Sequence, residues 1–172
     1  MKAKNSHARQ IILFIICLFF ALGVVFGTFC AIKYNINTPT ATAPKTMPQA
    51  LFVFGKFVFA VWLIGFFPFG IFFVPPVAAF CGYSYGMSST AFLLSKNSAM
   101  FARFSATYLL YTIALMLSAC ASMHLCFNTY KNSKNTKATL PREKQRILIE
   151  YIVILLISVL PLSLGVGLEF FA

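Results

Sequence analysis

Residues 62–94 read WLIGFFPFGIFFVPPVAAFCGYSYGMSSTAFLL, a run without a single charge whose glycines and prolines all stand where helices can be punctuated. Apolar residues continue to Val74, and Pro75-Pro76 predict the end of one helix and the start of the next. Consecutive prolines donate no backbone hydrogen bond, so a helix boundary tolerates them best. Beyond them Gly82 and Gly86, with Ser84, Ser88 and Ser89, give a short helix a small and slightly polar face. Such faces let two helix backbones approach closely within a membrane. The stretch therefore predicts two membrane passes joined as a tight hairpin.

The rest of the chain supports lipid as the solvent. Of its 172 residues 60% are hydrophobic and 10% charged, with 21 phenylalanines, more apolar surface than a soluble domain of this size can bury. Working outward from the hairpin, apolar runs at 11–32, 104–127 and 147–171 join those at 51–74 and 77–94. Each is long enough for a pass of about 20 residues, the shortest only marginally so. The fold class expected is all-α, a polytopic integral membrane bundle of five transmembrane helices in one membrane domain, 1–172.

Charge sets the expected orientation. Net charge is +11, and nine of the fourteen basic residues fall either before the first run (Lys2, Lys4, Arg9) or in the loop 128–146 (Lys131, Lys134, Lys137, Arg142, Lys144, Arg146). Five passes put these two segments on the same side, which the positive-inside rule makes cytoplasmic, so the N-terminus is expected in and the C-terminus out. The same rule accounts for the basic balance without nucleic acid, for which no interleaved aromatic platform exists. Residues 33–50, with four threonines and Pro39, Pro44 and Pro48, read as an outer loop. A signal peptide is the competing reading of residues 1–32, but the apolar run is longer than a typical h-region and no Ala-x-Ala site follows, which favours an uncleaved anchor.

Within the spans, Gly23 and Gly27 form a GxxxG pair in the first. In the second, Pro68 between Gly65 and Gly70 predicts a kink, because Pro68 cannot donate to Ile64 and its ring crowds the preceding turn. Lys56 is read as lying about one turn in from an end and snorkelling to the headgroups. Tyr108, Tyr111 and His124 read as interfacial anchors. Pro161, Gly165 and Gly167 predict a bend or fraying in the far half of the last span, and Glu150 is placed to neutralise Arg146 at the interface.

Chemistry-bearing residues are sparse. There is no Asp, three Glu (Glu143, Glu150, Glu169) and two His, too few and too scattered for general acid–base work, so no enzyme is expected. Cys120, His124 and Cys126 do not converge on one helix face, since Cys126 lies about 200° around from His124. No metal or cofactor is expected. Five cysteines within apolar runs make no disulfide framework. His124 and Asn128 have the HxxxN spacing of one class of intramembrane protease, but its Glu-Glu-x-x-x-Arg companion is missing.

The layout resembles the stage II sporulation protein M family of small five-pass bacterial membrane proteins. It does so through Gly23 and Gly27 in the opening span, then Leu63, Gly65 and Gly70 as Leu-x-Gly-x-x-x-x-Gly, then Gly82 and Gly86, and a basic loop before a final span. Two positions depart from the family pattern. Ser98 to Phe104 stands where many members carry Pro-Gln-Asn, and Gly55-Lys56 stands where an asparagine usually opens the second span. The resemblance implies a non-catalytic scaffold in a multi-pass bacterial cell membrane. Its partners would be membrane-anchored peptidoglycan hydrolases of the engulfment complex that works during endospore formation, with the six glycines as helix-packing or partner surfaces. Homo-oligomerisation stays open. The alternative is a membrane subunit of a transporter or permease, whose path the bends at Pro68 and Pro161 would line.

Overall fold

The computed structural model describes residues 2–36, 47–67, 69–95, 98–134 and 141–171. Five helices make up the described chain: α1 (Lys2–Lys33), α2 (Met47–Ile64), α3 (Gly70–Leu94), α4 (Ser98–Lys134) and α5 (Pro141–Phe171). No strand occurs among the described residues. A helix satisfies its backbone polar groups within one segment, which long apolar runs require wherever water is absent.

Among the described residues three helices carry windows long and apolar enough to cross a membrane, Gln10–Lys33 in α1, Phe101–Phe127 in α4 and Leu148–Leu168 in α5, while Gly55–Ile64 in α2 is a shorter apolar helix. Half of the α4 window is buried, against 22% in each of the other two, so α4 is the central helix. Among the described residues it packs on all four others, whereas α1 packs on α3 and α4 only. Large apolar side chains such as Phe14, Phe26, Phe52, Phe72 and Leu160 cover the outside, the distribution expected of a surface that meets acyl chains.

Helix directions follow from which residues meet. Gly23 faces Ala79 and Tyr83, and Gly27 faces Tyr83 and Met87, so α1 and α3 run parallel. Tyr85 meets Tyr108 and Phe92 meets Phe104, so α4 returns antiparallel to α3. Ser118 bonds Ser158 and Ser122 bonds Tyr151, which sets α5 antiparallel to α4. Gly55 faces Leu162 while Trp62 stacks on Tyr151, so α2 runs against α5 and along α4.

Several boundaries differ from the sequence reading. The helix break falls at residues 65–69, not at Pro75-Pro76, which lie inside α3. Both prolines sit in the second turn of that helix. Phe72 N–H bonds Phe69 C=O at 3.1 Å in the tighter i→i+3 pattern, and the prolines leave the Ile71 and Phe72 carbonyls without the donors a regular helix would give them. Where a kink was expected within one span between Gly65 and Gly70, α2 ends at Ile64 and α3 starts at Gly70. Gly65 N–H bonds the carbonyls of Val61 and Trp62, Phe66 N–H bonds Leu63 and Phe67 N–H bonds Ile64, winding the end of α2 tightly; Pro68 itself lies outside the described residues.

The outer loop, the basic loop and the polar break expected between the runs 77–94 and 104–127 are all shorter than expected. Residues 47–50 already belong to α2, and 98–103 to α4. Of the stretch 128–146, residues 128–134 continue α4 and 141–146 open α5. Residues 37–46 and 135–140 lie outside the described chain. At the end of α1, Asn35 takes φ 51°, Asn35 N–H bonds Ile32 C=O at 3.2 Å and Ile36 N–H bonds Ala31 C=O at 3.1 Å. These two bonds satisfy carbonyls that a helix end leaves open, with asparagine in the left-handed position it tolerates better than most residues.

Tyr108 and Tyr111 are packing residues rather than interfacial anchors. Tyr111 is 3% exposed, with its hydroxyl 3.6 Å from Cys81 Sγ, and Tyr108 lies between the rings of Phe104 and Tyr111. Their burial follows from α4 starting at Ser98, which moves both tyrosines away from its end. Helix α5 stays helical through Pro161 as far as Phe171. Lys56 lies in the middle of α2, because that helix starts earlier and stops earlier than expected.

Gly167 provides an internal comparison for the other glycines. A Cβ there meets nothing within 4 Å. Gly167→Ala should therefore leave stability unchanged or raise it by up to about 1 kcal/mol, the helix-propensity difference, as measured by unfolding in mixed micelles. A clear loss would mean that this face is occupied.

Candidate functional site

The six glycines singled out by spacing separate into two places. Gly23 and Gly27 on α1 and Gly82 and Gly86 on α3 form one seam. A Cβ at Gly23 would overlap the Ala79 carbonyl, at Gly27 that of Tyr83, at Gly82 that of Phe20 and at Gly86 that of Val24. Each helix thus presses its backbone into the gap that the other's glycines leave, and the parallel direction keeps the two four-residue spacings in register over two turns. Thr90 Oγ1 and Ser89 Oγ donate back to the Gly86 carbonyl at 2.8 and 3.2 Å, so these hydroxyls are satisfied within α3. The small-residue face of α3 is therefore occupied by α1 of the same chain.

Gly65 and Gly70 flank the break between α2 and α3. A Cβ on Gly65 would overlap the Tyr151 hydroxyl and come within 3.0 Å of Ser122 Cα, and one on Gly70 would overlap the Ile64 carbonyl. Where α2 stops, its last carbonyls accept from the backbone N–H groups of the tight turn that follows. Side chains of α4 and α5 add further donors to the same carbonyls. Ser122 Oγ donates to Val61 C=O at 2.8 Å, and the Tyr151 hydroxyl donates to Trp62 C=O. The Cys126 thiol lies 3.2 Å from the Phe67 carbonyl, 3.4 Å from that of Gly65 and 3.8 Å from that of Ile64, so its one hydrogen can serve any of the three.

Ser122 and Tyr151 also touch each other at 3.0 Å. Two hydroxyl protons thus serve three contacts, and the pair is locked in place by the carbonyls it faces. The Tyr151 ring stacks on Trp62 at 5.9 Å with 4° between planes, and Phe66 sets its edge against both. The break is consequently filled by aromatic rings and closed by three donors.

Ser118, Ser122 and Tyr151 were not picked out by the sequence reading, which weighed Cys126 as a metal ligand. A signal for Ser118, Ser122 and Cys126 exists, because they recur at four-residue spacing along one side of α4, with Ala114 one step before them, and all four are buried. Tyr151 has no such signal, since only its contact with the end of α2 distinguishes it from an interfacial tyrosine. Cys120 and His124 are half-buried and point elsewhere on α4 than Cys126. Among the described residues no group of three His, Cys, Asp or Glu side chains could hold a metal ion. The arrangement joins helices through donors and rings. No family model, no curated protein and no solved structure matches the chain.

Proposed function

We propose that this chain is a non-catalytic membrane scaffold of five passes, with its amino end in the cytosol and its carboxyl end across the bilayer. The observation that carries the reading is that the donors around the break, Ser122, Cys126 and Tyr151, are spent on closing α2 onto α4 and α5. Broken helices that bind a substrate in transporters offer their freed carbonyls to it. Here those carbonyls already have donors from the same chain, which favours packing over a path.

Five passes are supported by depth and direction. Helix α3 lies against the middle of the α1 window, and α2 runs beside α4 and α5, with helix directions alternating from α1 to α5. The start of α1, the end of α4 and the start of α5 then share one end of the bundle, and these segments hold eight of the fourteen basic residues. Localisation in a bacterial cell membrane, and the role in engulfment beside membrane-anchored peptidoglycan hydrolases, rest on the resemblance to the stage II sporulation protein M family.

Two measurements test this. A reporter active only outside the cytosol, fused after Ala172, is expected to be active; activity restricted to a cytosolic reporter would make the number of passes even. In a spore-forming host, the tagged chain is expected to bring down the engulfment hydrolases from detergent extracts. Solute uptake by liposomes holding only the purified chain would instead favour the transporter reading.

A further inference from the structure

Lys56 has nine residues of α2 before it and eight after it. At 1.5 Å per residue its Cα lies about 12–13 Å from either end of that helix, roughly twice the reach of a lysine stem. Its neighbours place it at the same depth independently. Gly55 faces Leu162, which lies within the apolar window of α5, and the Phe57 ring meets Phe80 at 5.7 Å. Phe80 lies between Ala79 and Tyr83, the residues facing Gly23 in the middle of the α1 window.

The side chain is on the outside of the bundle. Lys56 is exposed, and its ammonium rests over the ring of Phe57 at 5.0 Å from the centroid. Phe52, Lys56, Phe59 and Leu63 follow one another at four- and three-residue steps, which puts them on one stripe of α2, and all four are exposed. An ammonium at the middle of a bilayer is among the most unfavourable groups to leave facing acyl chains, and intramembrane cations ordinarily have a counter-charge.

This chain has no carboxylate at that depth. Glu150 precedes Tyr151, level with the break at the far end of α2, and Glu143 lies further along α5 in the same direction. Glu169 lies two turns beyond Leu162, about 10 Å towards the opposite face. A second copy inserted the same way up carries its three carboxylates at the same heights, so it cannot supply the missing charge either.

We propose that the Phe52–Lys56–Phe59–Leu63 stripe docks a transmembrane helix of a different protein, one with an aspartate or glutamate at mid-span. Charge complementarity in a low-dielectric surrounding selects this partner, and the flanking aromatic side chains give it an apolar surface to pack on. The inference rests on α2 crossing the bilayer, as proposed above.

The test has two arms. Lys56→Cys in sealed vesicles is expected to resist a membrane-impermeant maleimide from both sides and to react in detergent; reaction in sealed vesicles would overturn both the crossing and the docking site. In the second arm, the full chain in nanodiscs is titrated, by energy transfer, with synthetic poly-leucine helices bearing Glu, Gln or Leu at the centre. The Glu helix is expected to bind at least tenfold tighter than the other two, and the preference is expected to vanish in Lys56→Met. A Lys-centred helix paired with Lys56→Glu should restore it. Equal binding of the three helices, or a Glu preference that survives Lys56→Met, would overturn the partner's chemistry while leaving the crossing of α2 intact.

Discussion

Gly82→Ala is expected to destabilise the folded bundle by about 2–3 kcal/mol, the upper part of the range for adding a methyl to a filled interior. The new Cβ would meet the Phe20 carbonyl and, behind it, the backbone nitrogen of Val24. Neither can rotate away as a side chain could, so α1 and α3 must separate. Separation also weakens the packing at Gly23, Gly27 and Gly86, whose close approaches lie on the same seam. A leucine at position 82 should prevent the seam from forming at all. Reversible unfolding in bicelles measures the difference, and a change within about 0.5 kcal/mol of the parent chain would show that the two backbones are not in contact. Because this seam is internal to the chain, loss of partner recovery in such variants reports on folding before it reports on a docking surface.

The second large effect is expected at the break. Gly65→Ala should cost about 2 kcal/mol, since its methyl would occupy the position of the Tyr151 hydroxyl and press on Ser122 at 3.0 Å. Tyr151→Phe alone should cost about 1 kcal/mol, in line with interhelical hydrogen bonds within membranes. The ring keeps its stack on Trp62, and the Trp62 carbonyl keeps the Gly65 N–H at 3.1 Å. The double variant is expected to be more stable than Gly65→Ala by itself, because removing the hydroxyl makes room for the methyl. This is a coupling of opposite sign to the single changes. Additive losses in the same unfolding assay would mean that Gly65 and Tyr151 do not share the space assigned to them.

The comparison of Pro68 with Pro75-Pro76 shows what local chemistry leaves open. Both sites lack donors and both can end a helix, and spacing by itself favoured the pair. The break falls between Ile64 and Gly70, where tight local turns and side chains from α4 and α5 together meet the carbonyls at the end of α2. Ser122 lies 61 residues from Val61 and Tyr151 lies 89 residues from Trp62, so nothing nearby in the sequence announces them. Lys56 falls at the middle of α2 for a related reason, since its place along the helix depends on where α2 begins and ends.

Hydropathy and composition were sufficient for an all-helical chain with apolar segments in the right places, because backbone groups in an apolar run have no satisfactory partner but their own helix. The four-residue spacing of Gly23 and Gly27, and of Gly82 and Gly86, likewise marks faces that admit close approach whatever their partner. Which face meets which was decided only by assembly. Two GxxxG faces on helices that are not consecutive met in parallel, leaving α2 on the other side of α3 and α4 with the lysine at its middle turned outward. Spacing along one helix records the shape of a surface, whereas pairing depends on how all five helices share their contacts, and no single segment contains that.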